Sequence, residues 1–137
     1  MNEAPGGNRH IPKIHSMRLD SEPFLMIKNG LKTVELRLND ERRKDIEVGD
    51  FIHFVLRDSD SMILSRVRAL YKAPSFAILF EVGGILKKCG WQSLTPCEAA
   101  QIMRKYYSET DESTYGALGI ELDVIIKEPT ETPFITL

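Results

Sequence analysis

Cysteine is scarce in this chain: Cys89 and Cys97 are the only two in 137 residues. So few argue against a disulfide framework and for reduced, partly buried thiols. Their spacing matches no common zinc pattern, and none of the three histidines lies close by in sequence. Long apolar runs are also missing. No stretch approaches the roughly 18 residues that a membrane span needs. Residues 1–10 lack the hydrophobic core of a signal peptide, so the cytoplasm is the expected compartment. Charge of one sign is not in excess either. With 18 Lys+Arg against 20 Asp+Glu the net charge is −2, and no global field marks a nucleic-acid partner. A local basic patch can still bind one, because affinity follows the charges near the phosphates rather than the sum. The widespread catalytic signatures are absent as well: no P-loop, no dinucleotide fingerprint, no H-E-x-x-H and no G-x-S-x-G. No cofactor or metal is expected.

What is present is ordinary globular material. Hydrophobic residues make up 42% and charged residues 28%, enough apolar content for one packed domain of this length. The pattern divides the chain into a flexible arm over 1–10, a single domain over 11–126 and a Pro- and Thr-rich tail over 127–137.

Along the domain, Ile14, Met17 and Leu19 suggest a first strand, with His10 and His15 read as surface or edge histidines. Asp20-Ser21-Glu22-Pro23 is a helix start, since Asp or Ser can cap the free N–H groups and Pro has none to lose. Phe24, Ile27 and Leu31 fall at helical spacing and Gly30 suits a left-handed cap, which predicts a helix over about 22–29. Residues 32–38 switch to period 2, with Val34, Leu36 and Leu38 on one face and Thr33, Glu35 and Arg37 on the other. Asn39–Asp45 reads as a solvated connection. Phe51–Arg57 and Met62–Tyr71 form strands joined by a turn at 58–61. Phe76, Leu79, Phe80 and Val82 mark a helix after Ser75, and 85–91 is irregular. Thr95-Pro96-Cys97-Glu98 fits a capping box for a helix to about Tyr107, with Ile102, Met103 and Tyr106 on its buried side. Ser108–Thr114 reads as an acidic loop, and Ala117–Ile126 as the last strand. Strands in hairpin order, interrupted late by helices, give an α+β domain with a mixed, barrel-like sheet rather than a βαβ fold.

The chemistry concentrates in residues 29–50, where Gly30, Lys32, Glu35 and Arg37 spell G-x-K-x-x-E-x-R. On a strand, Glu35 and Arg37 share a face. Glu accepts from an exocyclic amine of a base, and Arg grips phosphate or a base edge at two points. Lys32 can bind phosphate, or act as base or nucleophile if buried. The same set also fits a plain salt-bridge ladder. Trp91, the only tryptophan, sits near Lys87 and Lys88 and suits either base stacking or a lid on the core.

Asn29–Arg37, followed by Val48-Gly49-Asp50-Phe51-Ile52-His53-Phe54, resembles the ASCH domain, a branch of the PUA-like β-barrels. The likeness extends more loosely through Arg66–Leu70, Ser75–Leu79, Trp91–Tyr107 and Tyr115-Gly116, roughly residues 14–126. It implies a PUA-like β-barrel of mixed strands with flanking helices, and a cleft for RNA, a nucleotide or a modified nucleoside. The residues carried over are Lys32, Glu35 and Arg37, with Thr33, Trp91 and Tyr115 as further ligand-binding candidates. Some small ASCH proteins are amidohydrolases that deacetylate N4-acetylcytidine with a Lys, a Thr three residues later and a Glu from the helical region. Lys32 matches that Lys, but Glu35 stands where the Thr is needed, and no carboxylate lies near Cys89–Trp91. Binding is therefore the first expectation. The alternatives are an amidohydrolase or ribonuclease using Lys32 as catalytic residue, and a protein-interaction adaptor with a vestigial cleft.

Overall fold

The computed structural model describes residues 10–128; the rest of the expected arm and tail, 1–9 and 129–137, lies outside the described residues. In chain order the elements are β1 (Ile14–Leu19), α1 (Ser21–Lys28), β2 (Val34–Leu38), β3 (Phe51–Leu56), β4 (Met62–Ala73), α2 (Phe76–Leu79), α3 (Ile85–Lys88), α4 (Pro96–Met103), α5 (Glu109–Tyr115) and β5 (Ala117–Glu128). The strands make one mixed sheet in the order β1-β3-β4-β5-β2. Among the described strands only the β1–β3 pair is parallel.

Apolar residues pack on both faces of this sheet. One cluster joins Ile52, Phe54, Ile63, Val67, Leu118 and Ile120 to Phe24 and Ile27 of α1. The other joins Val34, Leu36 and Leu38 of β2 to Phe76, Leu79, Ile85, Ala99 and Met103 of the later helices. Phe54 and Phe76 are fully buried in the two clusters, and truncating either to Ala would cost about 3–5 kcal/mol.

The sheet curls but does not close. The register of β4 against β5 shifts between Leu64 and Ser65 and again between Val67 and Ala69, and such irregularities bend and twist a strand. Even so, the edge strands β1 and β2 pair only with β3 and β5, so the closed barrel implied by the family resemblance is not formed. The connection between those two edges is α1 itself, whose Phe24 and Ile27 enter the first cluster.

Several local expectations change in the structure. Asp20 makes no side-chain cap on α1; it pairs with Arg57 Nε at 2.7 Å and ties the helix start to the end of β3. The expected acidic loop at 108–114 is mostly helix, capped by Ser108 accepting from the Asp111 N–H. Its Glu112 is buried, accepts from the Phe76 N–H at 2.6 Å and is engaged by Arg104. One carboxylate thus joins α2, α4's exit and α5. The irregular segment after Gly84 contains the single turn of α3, and β5 runs two residues past Ile126.

The histidines also differ. His10 and His15 each place Nε2 on the carboxylate of Asp50, at 2.5 and 2.8 Å. Asp50 is fully buried and accepts two main-chain N–H groups as well, from Lys13 and Glu47 at 3.0 Å each. Burial alone would raise its pKa, but these hydrogen bonds hold the carboxyl well below the usual carboxylate range. The Val48-Gly49-Asp50 turn is therefore pinned to the chain entering β1.

Candidate ligand cleft

The G-x-K-x-x-E-x-R segment is aimed by its backbone. After α1 the chain turns through Gly30, whose φ of 78° lies in the left-handed region that favours glycine. Met26 O then accepts from both Leu31 and Lys32, at 2.9 and 3.2 Å. Thr33 donates to Lys88 O at 2.7 Å and its own carbonyl accepts from Leu122 at 2.8 Å. Lys32 is held between the end of α1 and the start of β2. Gly90, also left-handed at φ 85°, lets the loop after α3 come close; a Cβ there would lie 3.3 Å from the Leu31 carbonyl.

Along β2, Glu35 and Arg37 pair opposite Ile120 and Leu118, so they lie on the side of the first core cluster rather than on a solvated face. Glu35 is only 4% exposed. Its carboxylate meets Lys32 Nζ at 3.3 Å and Arg37 Nε at 2.7 Å. Burial pushes the Glu35 pKa up, but the two cations outweigh it and hold the carboxyl below its ordinary value. Arg37 also donates from Nη2 to Arg18 O at 3.1 Å. The rest of its planar fork is engaged by no described residue. This is a cation–carboxylate–cation triad, not a surface ladder.

The triad lines a cleft of about 340 Å³. Its other walls are Met26 from α1, Cys89 and Trp91 after α3, and Tyr106 and Tyr107 beyond α4. Trp91 packs edge-on to Phe80 with ring centroids 5.9 Å apart, so it serves both as a lid on the core and as a cleft wall. Tyr107 stacks on Phe76 at 5.9 Å, and burial raises its phenol pKa. Cys89 is 1% exposed, and its thiol is pushed up to about 12, chiefly by burial. It is an inert neutral group, not a nucleophile.

The structure thus brings Lys32, Glu35, Arg37 and Trp91 into one cleft. Thr33 is fixed by its main chain and does not line it. Tyr115 ends α5, 40% exposed, and is not part of the lining either. Lys88 turns to Glu121, 3.2 Å away, instead of flanking Trp91 in the cleft. Tyr106, expected on the buried side of α4, is 63% exposed. The helix ends at Met103, and the next N–H groups reach carbonyls three residues back, from Lys105 to Ile102 and from Tyr106 to Met103. That tighter winding rotates Tyr106 out of the apolar stripe. Cys89 and Met26 carried no sequence signal beyond their apolar character.

A small α+β protein with a curled mixed sheet and a charged, aromatic-walled cleft at its open seam is the class these features define. The chain belongs to the ASCH domain family, whose sequence profile matches residues 17–126. Among solved structures, the hypothetical protein PH0355 is 28% identical with a TM-score of 0.70, over 82% of this chain and 99% of that one. The solution structure of protein PF0455 from Pyrococcus furiosus is 31% identical with a TM-score of 0.62, over 82% and 97%. The ASCH protein of Zymomonas mobilis shares the fold at 21% identity and a TM-score of 0.57, over 83% and 71%. No curated protein matches the sequence significantly. Among the described residues no helix is long and apolar enough to cross a membrane.

Proposed function

We propose that this protein binds RNA, or a nucleotide or modified nucleoside, with a base seated in the cleft at the seam of the sheet. The observation that carries this reading is the convergence of Lys32, Glu35 and Arg37 with Trp91 and Tyr106 around one opening. Its volume falls at the small end of the range for small-molecule sites, about 300–1,000 Å³. Two aromatic rings offer faces for stacking, Glu35 offers carboxylate lone pairs to an exocyclic amine, and Arg37 has free donors in a fixed fork. Hydrolysis through Lys32 has less support. Its ammonium is committed to an ion pair with Glu35, and a carboxylate held below its ordinary pKa is a weak general base.

Because Trp91 is the only tryptophan, its fluorescence reports the cleft directly. Titration with nucleosides and a short single-stranded RNA should change it saturably, and Lys32→Ala and Tyr106→Leu should each weaken the response. Identical binding by both variants would rule the cleft out as the site and favour an adaptor role. Release of acetate from acetylcytidine, abolished by Lys32→Ala, would instead establish the hydrolase reading.

A further inference from the structure

Arg37 forms the wall between the cleft and a second, larger depression of about 490 Å³. That depression is lined by five arginines: Arg18 from β1, Arg37 from β2, Arg42 and Arg43 from the connection after β2, and Arg57 at the end of β3. Among the described residues no carboxylate lines it. Arg43 is paired with Asp40 at 2.7 Å and Arg57 with Asp20 at 2.7 Å. The guanidinium groups of Arg18 and Arg42 are exposed and engage no described residue. Among the described residues, the linings of cleft and groove together present seven cations, Lys32, Lys105 and the five arginines, against four carboxylates: Glu22 and Glu35 in the cleft, and Asp40 and Asp20 paired to the groove's arginines. This face is positive although the whole chain carries −2, and a charge separation of that kind has to be explained by the face, not by composition.

We infer that the arginine groove is a phosphate track, and that the ligand is a single-stranded RNA segment rather than a free nucleoside. The base-in-cleft part of this inference rests on the function proposed above; the groove adds the class of ligand. The geometry favours a nucleic acid over an acidic peptide because groove and aromatic cleft share Arg37. A strand with one base between Trp91 and Tyr106 leaves its backbone beside Arg37, at the entrance to the groove. An acidic peptide would use the groove but has no group that needs the aromatic cleft. Among the described residues the groove's lining cations are all arginines, whose planar guanidinium forks match phosphate oxygens at two points. Sequence-independent contacts of this kind set affinity through counterion release, and so write themselves into the salt dependence.

Binding of a fluorescein-labelled ten-nucleotide single-stranded RNA, followed by anisotropy across a salt series, tests the inference. The variant is Arg18→Gln/Arg42→Gln, which removes two cations that neutralise no carboxylate. Its slope of log affinity against log salt should be shallower than the wild type by about 1.4, and affinity at low salt should fall on the order of tenfold. Arg18→Lys/Arg42→Lys, with the charge kept, should restore the slope. Free nucleoside, titrated through Trp91 fluorescence, should bind wild type and the Gln variant alike. Tyr106→Leu should weaken RNA binding without changing the slope. An unchanged slope in the Gln variant, equal loss of nucleoside binding, absence of RNA binding by the wild type, or arginine-dependent capture of polyglutamate in preference to RNA would each overturn the phosphate track. A shallower slope with no effect of Tyr106→Leu would keep the track and remove the cleft.

Discussion

Arg37 on β2 donates to the main-chain carbonyl of Arg18 on β1, 3.1 Å away, and so straps together two edges of a sheet that share no backbone ladder. The same guanidinium anchors the buried carboxylate of Glu35 at 2.7 Å. One side chain therefore holds the seam and forms the cleft wall.

Arg37→Ala should accordingly destabilise the fold by about 2–4 kcal/mol, because it opens the seam and leaves Glu35 buried with Lys32 alone. Arg37→Lys should recover only part of this, since an ammonium cannot reproduce two directional contacts at once. Urea unfolding monitored by circular dichroism measures both. Equal stability of Arg37→Ala and wild type would show that the strap carries no load.

Glu112 holds the fold together away from the cleft. It is buried, engaged by Arg104 and bonded to the Phe76 N–H, so Glu112→Ala should cost about 3–5 kcal/mol. Thr95→Ala, which removes an exposed capping hydroxyl from the Glu98 N–H, should cost only about 1 kcal/mol. Denaturant midpoints for the two variants should therefore separate clearly; the reverse order would contradict the assigned network.

These two sites also mark what was legible in the sequence and what was not. The Thr95–Glu98 box was plain from four consecutive residues because its interactions are local, and it forms as read. The alternation of Val34, Leu36 and Leu38 likewise announced the side of β2 that packs under the later helices. Glu112 was hidden because its partners are 8 and 36 residues away, and an acidic polar run carries no local sign of being buried. The same holds for Asp50: a V-G-D turn says nothing of His10 and His15 closing on it. Glu35 is a ligand-binding candidate from its motif and lines the cleft, but its burial depends on pairing with strand β5, which periodicity alone cannot place. The open seam followed from pairing partners, which no single-strand pattern encodes.

Acid should destabilise the protein through Asp50 and Glu35. Both have folded pKa values below their unfolded ones. Their contributions are therefore fully present above the unfolded values, near 4, and are lost as pH falls below them. Asp50→Asn should lower stability at pH 7 and flatten the acid limb between about pH 4 and 2. Thermal melts across that range check the sign; a steeper acid limb in the variant would refute it.

The two cysteines should behave differently. Cys97 is exposed and Cys89 buried, so iodoacetamide at pH 8 should modify Cys97 in the folded protein and Cys89 only after unfolding. Because the Cys89 pKa is raised from 9.0 to about 12, its contribution is complete below the unfolded value and is lost as pH rises toward the folded one. Cys89→Ala should therefore weaken the alkaline loss of stability above about pH 9. Mass spectrometry of labelled peptides settles the first point, and alkaline melts the second.

In the proposed complex Trp91 and Arg37 face one ligand. A heteronuclear NMR titration with short single-stranded RNA observes both side chains, through the Trp91 indole N–H and the Arg37 Nε–H. These two signals should shift together and saturate at the same RNA concentration. Shifts confined to residues elsewhere, such as the exposed Val124–Ile126 end of β5, with both cleft signals unmoved at saturation, would contradict it.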